Sequence, residues 1–380
     1  MAVIEAINST KLKKMLFWPI ASGCFLTALC RGADPLDSWT PRNSDVSITF
    51  GAITYVGGEF LAVGAQGTVL VSPDGVNWVQ PHGSGADNFL YGLAYGNGVY
   101  VAVGDSGSIE TSRTGTNWVV RDSQTQNYLA WDCFGDGMFV AVGELGTITM
   151  STGGTFWSVA PIGSEVNLWS VGFGNGLFLA VGDNGAILTA ASDGEWTPSD
   201  SGVTNTLEGV VYGNGLYVVT GVDGTILTSP DGDNWSVANS NVGDDLYGAA
   251  FANGVFVVVG DNGDIVTSTD GTNWTLRPSG TSQQLVAVAY GNGQFVAVGT
   301  DGVIVQSDPI IGPTLSLSDA PPSPAVLSVK GWAGMTYQLE VSSNCQDWAV
   351  LTNLTLTDAT GQYVDSSSPS ASRRFYRAVQ

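Results

Sequence analysis

Positive charge is scarce in this chain. Its 380 residues hold 12 lysines and arginines against 34 aspartates and glutamates, a net charge of −22. Between Asn43 and Val329 the only cations are Arg113, Arg121 and Arg277. So acidic a surface repels phosphate backbones and anionic headgroups, which argues against nucleic acid as a partner. Histidine is scarcer still. His82 stands alone in the loop QPHGSG, and no G-x-S-x-G context supplies a nucleophile for it to serve. Of four cysteines, Cys24 and Cys30 lie in an apolar N-terminal segment, so only Cys133 and Cys345 remain for a bridge. No CxxC pair and no His/Cys cluster points to zinc. Charged residues of both signs make up only 12% of the chain while glycines number 51, a mix suited to short strands and tight turns rather than helices.

A long hydrophobic run is also missing. The uncharged stretch MLFWPIASGCFLTALC (15–30) is too short for a comfortable membrane span, and no stop-transfer pattern follows. Lys11, Lys13 and Lys14 precede it, so 1–33 reads as an export leader with cleavage near Cys30 to Ala33. Its removal leaves a net charge of −25. The run IASGC ending at Cys24 loosely resembles a bacterial lipobox, which makes a lipid anchor the alternative mode of attachment.

What the chain does have is a repeat. Tryptophans recur at Trp39, Trp78, Trp118, Trp157, Trp196, Trp235 and Trp274, at intervals of 39 or 40 residues. A second series, out of phase, places a glycine hairpin signal at Gly58, Gly98, Gly137, Gly176, Gly215, Gly254 and Gly293. A period near 40 with strand-like units marks a propeller. Within one unit, FLYGLAYG, VYVAVG, SIETS and NWVVR read as four antiparallel strands. Trp39 precedes the first hairpin, and the seventh hairpin has no tryptophan strand after it. The N-terminal run SWTPR (38–42) therefore closes blade seven and removes an open sheet edge.

The turn before each tryptophan is written SPDGVNW (72–78), SPDGDNW (229–235) and STDGTNW (268–274). Asp74, Asp231 and Asp270 can accept backbone N–H groups there, and Trp78, Trp235 and Trp274 can bury their rings between sheets. Other copies lack or shift the aspartate, which a packing device tolerates and a catalytic set would not. On these residues, 38–308 resembles the Asp-box (BNR-repeat) propellers, which include sialidases, sortilin-type receptors and photosystem II assembly-factor-like proteins. The box here is one residue shorter than the usual S-x-D-x-G-x-T-W, and the VGDNG runs at 181 and 259 look most like the assembly-factor-like group. The resemblance implies the fold strongly and the function weakly, and it implies that the boxes are structural.

The residues bear on two enzymatic readings and one metal reading. Sialidases hold their substrate with an arginine triad, but Arg42, Arg121 and Arg277 each follow a repeat tryptophan by three residues and so sit on outer strands. Two carboxylates could cleave a glycosidic bond, and Asp87, Asp122, Glu165, Asp200, Asp244 and Asp245 lie in loops entering the inner strands. Acidic loops are ordinary in so acidic a chain. Asp105, Glu144, Asp183, Asp223, Asp261 and Asp301 fall in a second ring of turns, where they serve turn chemistry or could attract divalent cations.

A binding face is the remaining reading. Aligning the seven inner strands gives one constant apolar position, followed by a position that varies: Gly51, Tyr91, Ala130, Trp169, Glu208, Tyr247 and Val286. Strand alternation sends this second position toward the funnel mouth. Tyr91, Trp169 and Tyr247 with Glu208 would suit a sugar ring or a peptide; ordinary packing between blades is the simpler alternative.

The run DPIIGPTLSLSDAPPSP (308–324) breaks the repeat. The pattern GMTYQLEVSSNCQDWAVL, ending in RRFYRAV, resembles a small C-terminal β-sandwich module of secreted bacterial proteins. Its Arg373, Arg374 and Arg377 form the one local cationic cluster, available for an acidic partner or left solvated. The expectation is therefore an exported, monomeric, non-catalytic all-β protein without cofactor or metal. It comprises a signal peptide (1–33), a seven-bladed propeller (34–308), a Pro-rich linker into the next domain (309–324) and a β-sandwich (325–380). Its expected ligand is an extracellular glycan or protein. The alternatives are an assembly or scaffold factor and a glycan-cleaving hydrolase.

Overall fold

The computed structural model describes residues 3–7, 34–80, 87–163, 165–192, 195–310, 314–318, 324–331, 336–343, 346–356, 360–367 and 373–379. They fall into two compact units. Leu36–Pro309 forms one, and Ile310–Gln380 with the N-terminal segment forms the other.

The first unit is a seven-bladed propeller. Its inner strands are Phe50–Val56, Leu90–Gly96, Leu129–Gly135, Leu168–Gly174, Leu207–Gly213, Leu246–Ala252 and Leu285–Gly291, which open blades one to seven. Each pairs with a second strand across a two-residue hairpin. In blade two that turn is Asn97 (φ 48°) and Gly98 (φ 75°), the left-handed pair a type I′ hairpin needs. The second strands are buried almost end to end, Val99–Gly104 in every residue, because both of their faces meet neighbouring blades. The third strand completes the inner part of the blade and the tryptophan strand lies outermost. Blade one departs slightly: its outer strand is reduced to a single bridge, Val71 to Val79.

The ring closes through its N-terminus. Trp39–Arg42 runs antiparallel to Ile304–Ser307, with Trp39 opposite Ser307 and Arg42 opposite Ile304, as the offset of the two repeat series requires. Trp39 is buried, and Arg42 Nε donates to Gln306 Oε1 at 2.8 Å.

The tryptophan turns that carry the aspartate are small hydrogen-bonded units. Asp270 Oδ1 accepts from the amides of Thr272 (2.9 Å) and Asn273 (2.8 Å), and Trp274 Nε1 donates to the carbonyl of Gly271 at 3.0 Å. Asp74 and Asp231 do the same for their own turns. The amide of Asn77, joined by that of Val76 and opposed by desolvation, draws the Asp74 carboxyl down to about 2. Trp78 and Trp274 are buried, whereas Trp235 is half-buried and donates instead to Ser199 Oγ at 3.1 Å. In the copies without aspartate, Trp118 and Trp157 still donate to Gly115 and Gly154. The indole-to-glycine bond thus forms with or without the carboxylate, at Trp78, Trp118, Trp157 and Trp274.

The second unit consists of two sheets. One is ordered Val3–Ile7, Arg373–Val379, Thr336–Ser342, Ala349–Thr355; the other Thr314–Ser318, Ala325–Lys330, Thr360–Asp365. Ala325, Leu327 and Val329 in one, and Tyr337 and Leu339 in the other, are buried at alternate positions, so each sheet has one buried face. Two expectations are corrected here. The segment 309–324 is not simply a linker, because Thr314–Ser318 is a strand paired with Ala325–Lys330. Its hydrophobic Leu315 is buried, which outweighs the flanking prolines. The arginine cluster is also not all left free. Arg374 pairs with Asp365, and Arg377 pairs with Glu340 while its guanidinium lies 4.3 Å from the Trp348 ring centroid. The bulk of the expected leader (8–33, including Cys24 and Cys30) lies outside the described residues, as do His82 and Cys345; Val3–Ile7 pairs with Arg373–Val379. Cys133 is a free thiol.

Candidate ligand-binding site

A cavity of about 530 Å³ opens where the seven inner strands converge. All seven residues of the variable position line it: Gly51, Tyr91, Ala130, Trp169, Glu208, Tyr247 and Val286. The cause is more specific than strand alternation. In every blade the pairing register slips just after the constant Phe or Leu, so that the next residue has no partner of its own on the second strand. Such a β-bulge turns that side chain out of the pleat and toward the funnel axis. It also breaks the period of two, so Trp131, Ser170, Gly209 and Gly248 line the cavity from the position after it. At that position backbones of adjacent blades come very close. A Cβ on Gly209 would sit 2.0 Å from the carbonyl oxygen of Tyr247, which only glycine avoids.

The rings form an arc. Phe89 stacks on Tyr91 (4.3 Å between centroids, 13° between planes), Tyr91 meets Tyr128 at 6.0 Å, and Tyr128 meets Trp169 at 5.8 Å. Tyr247 stands two blades beyond Trp169, with Glu208 between them.

Carboxylates fix the rings from behind. Tyr91 Oη donates to Asp105 Oδ1 at 3.0 Å, Trp169 Nε1 to Asp183 Oδ1 at 2.7 Å, and Tyr247 Oη to Asp261 Oδ1 at 3.1 Å. Gln284 Nε2 donates to both Tyr247 Oη and Asp261 Oδ1. Desolvation, with the Asp105 hydrogen bond, pushes the Tyr91 hydroxyl up to about 12, and desolvation with the charge of Asp261 pushes Tyr247 further in the same direction. Both hydroxyls stay protonated donors. Three of the six turn carboxylates are thus positioning groups for the cavity's rings. The sequence carries a signal for this that the reading above missed. Each aromatic at the bulge has an aspartate 14 residues later, whereas Glu208 has Val222 there and avoids a like charge.

Among the described residues Glu208 is the one charged group on the wall. No described residue donates a hydrogen bond to its carboxylate. Burial, then the charges of Asp183 and Asp245, push it up to about 7. Three of the loop carboxylates are engaged locally: Asp122 and Asp200 accept the amides of Gln124 and Gly202, and Asp245 accepts that of Asp223. Arg42, Arg121 and Arg277 lie on outer strands, where each Nε donates to a neighbouring-strand side chain at 2.8 Å. None lines the cavity. Among the described residues no three His, Cys, Asp or Glu side chains are grouped to hold a metal ion, and no helix is long and apolar enough to cross a membrane.

Neither a protein-family model nor a curated protein matches the chain. Solved structures do match, at the level of fold. YCF48 from Cyanidioschyzon merolae superposes with a TM-score of 0.59 at 16% identity, over 71% of this chain and 98% of that one. YCF48 bound to D1 peptide gives 0.61 at 14%, over 73% and 96%. The WD40 β-propeller domain of Doa1 gives 0.57 at 14%, over 72% and 96%. The chain is a β-propeller of four-stranded blades.

Proposed function

We propose that this chain is a non-catalytic binding protein that holds a segment of another protein at the funnel mouth. The observation that carries this reading is the bulge in all seven blades, which delivers the variable residues, three of them aromatic, to one cavity. Invariant packing needs no such variation, and among the described residues the wall of rings offers one carboxylate and no second group at hand for acid–base work. A similar propeller has been seen bound to a peptide, which supports the same use of this one. The basic, then apolar, composition of 1–33 supports a site of action outside the cytoplasm. A glycan is the second reading, favoured by the flat aromatic surface that the half-buried, stacked Phe89–Tyr91 pair supplies.

The test is a random-peptide display selection and a glycan array, both run on the full chain and on Trp169→Ala. Peptides retained by the wild type and lost by the variant support the proposal. Glycans lost in the same way would replace the peptide as ligand. Retention that ignores the substitution, or none at all, would remove the site.

A further inference from the structure

The cavity wall is aromatic on most of its arc and anionic where it is not. Glu208 projects from it half-buried, and among the described residues none donates a hydrogen bond to it and no lysine or arginine lines the site. An ionised carboxylate in that position is a cost to the free protein unless something positive meets it. The rings are prepared for the same visitor. Tyr91, Trp169 and Tyr247 donate to Asp105, Asp183 and Asp261, and a ring whose N–H or O–H is bound to an anion carries more electron density on its face. Those three aspartates also add negative potential from behind the wall. A bare metal ion is a poor occupant, because it needs several converging oxygens and the wall offers one carboxylate.

We propose that the cavity takes a cationic side chain, a lysine ammonium or arginine guanidinium presented by the bound protein segment, with Glu208 as its counter-ion and the Tyr91–Tyr128–Trp169 arc and Tyr247 as its cage. The inference rests on the binding reading above and specifies its ligand. Glu208 faces Asp183, Asp245 and Tyr128, all anionic or neutral, so among the described residues no cation of the protein competes for its carboxylate. Because Glu208 ionises near pH 7 in the empty site, affinity should rise as pH increases through that value.

The experiment uses the full chain with two small probes in ligand-observed NMR: Nα-acetyl-lysine amide, and Nα-acetyl-norleucine amide of nearly the same shape without the charge. We expect the lysine probe to bind, the norleucine probe to bind at least tenfold more weakly, and Trp169→Ala and Glu208→Gln each to weaken the lysine probe about tenfold or more, with thermal melts confirming that both variants fold. Wild-type affinity should fall between pH 8 and pH 5.5, and that of Glu208→Gln should not. Equal binding of both probes, lysine binding that ignores both substitutions (mere attraction to an acidic surface), or no binding of either overturns the inference. The two readings fail separately. If display selects peptides lost in Trp169→Ala that carry no lysine or arginine, the binding function stands and the cationic specificity falls.

Discussion

Trp169 Nε1 lies 2.7 Å from Asp183 Oδ1, and the same oxygen accepts from Thr206 Oγ1 at 3.4 Å while Asn167 Nδ2 holds Oδ2 at 3.0 Å. The indole is therefore aimed by a carboxylate that is itself held in place, across the turn that joins the second and third strands. A hydrogen bond from an indole to an ionised acceptor is stronger than one to a neutral amide. In Asp183→Asn, the Trp169 indole N–H resonance, assigned with Trp169→Phe, should move upfield in a ¹⁵N-correlated spectrum. Stability should fall by about 1 kcal/mol. An unmoved resonance would mean that packing alone positions the ring.

Closure through Trp39 should carry much of the propeller's stability. The residue fills a buried site on the outermost strand of blade seven, and its indole donates to the carbonyl of Leu36 at 3.1 Å. Trp39→Ala should cost about 3–5 kcal/mol and lower the melting temperature by roughly 10 °C for a unit of this size. Deletion of 34–42 should do more, since it also exposes the edge of Ile304–Ser307. A differential scanning trace that matches the intact protein would refute the closure as a stabilising element.

Asp132 is an internal misfit. It is 2% exposed, its oxygens find no hydrogen-bond partner of good geometry, and burial holds its carboxyl well above the ordinary range with only the Ala94 amide acting against it. The equivalent residues in three other blades are Ile53, Leu93 and Val171, all buried. Leucine branches as aspartate does, so Asp132→Leu should stabilise the propeller by about 1–3 kcal/mol. The gain should be larger at pH 7 than at pH 4, because a carboxyl with a raised folded-state pKa loses stability as pH climbs above its unfolded value. Chemical denaturation at the two pH values decides it, and a destabilised variant would show that the carboxyl has a structural partner.

Glu208 makes the matching claim for the site. Its value moves from 4.5 in the unfolded chain to about 7 in the folded one, so the folded state holds the proton longer. Stability attributable to this group is intact below pH 4.5, falls between 4.5 and 7, and is then constant, lower by at most about 3 kcal/mol. Glu208→Gln should therefore melt like the wild type at pH 4 and higher than it at pH 8. The reverse order would mean that the carboxylate is stabilised in the empty site, and the site's appetite for a cation would lose its basis.

Much of this protein was legible before any coordinates. Seven tryptophans at a nearly fixed interval, out of phase with seven glycine hairpins, determine the blade count and the closing strand, because local turn chemistry and strand period are properties of neighbouring residues. Tyr91, Trp169, Glu208 and Tyr247 were legible for the same reason: they share one register position. Tertiary structure decided the rest. The bulge that aims those side chains inward is an event between two strands, and it also brings Trp131 and Ser170 to a wall that simple alternation gives to the other face. Tyr128 joins the arc only through rings on adjacent blades. Asp105, Asp183 and Asp261 read as turn residues in sequence, and although each follows an aromatic by 14 residues, the approach of the strand they face is what gives that spacing its meaning as a hold on the cavity's rings.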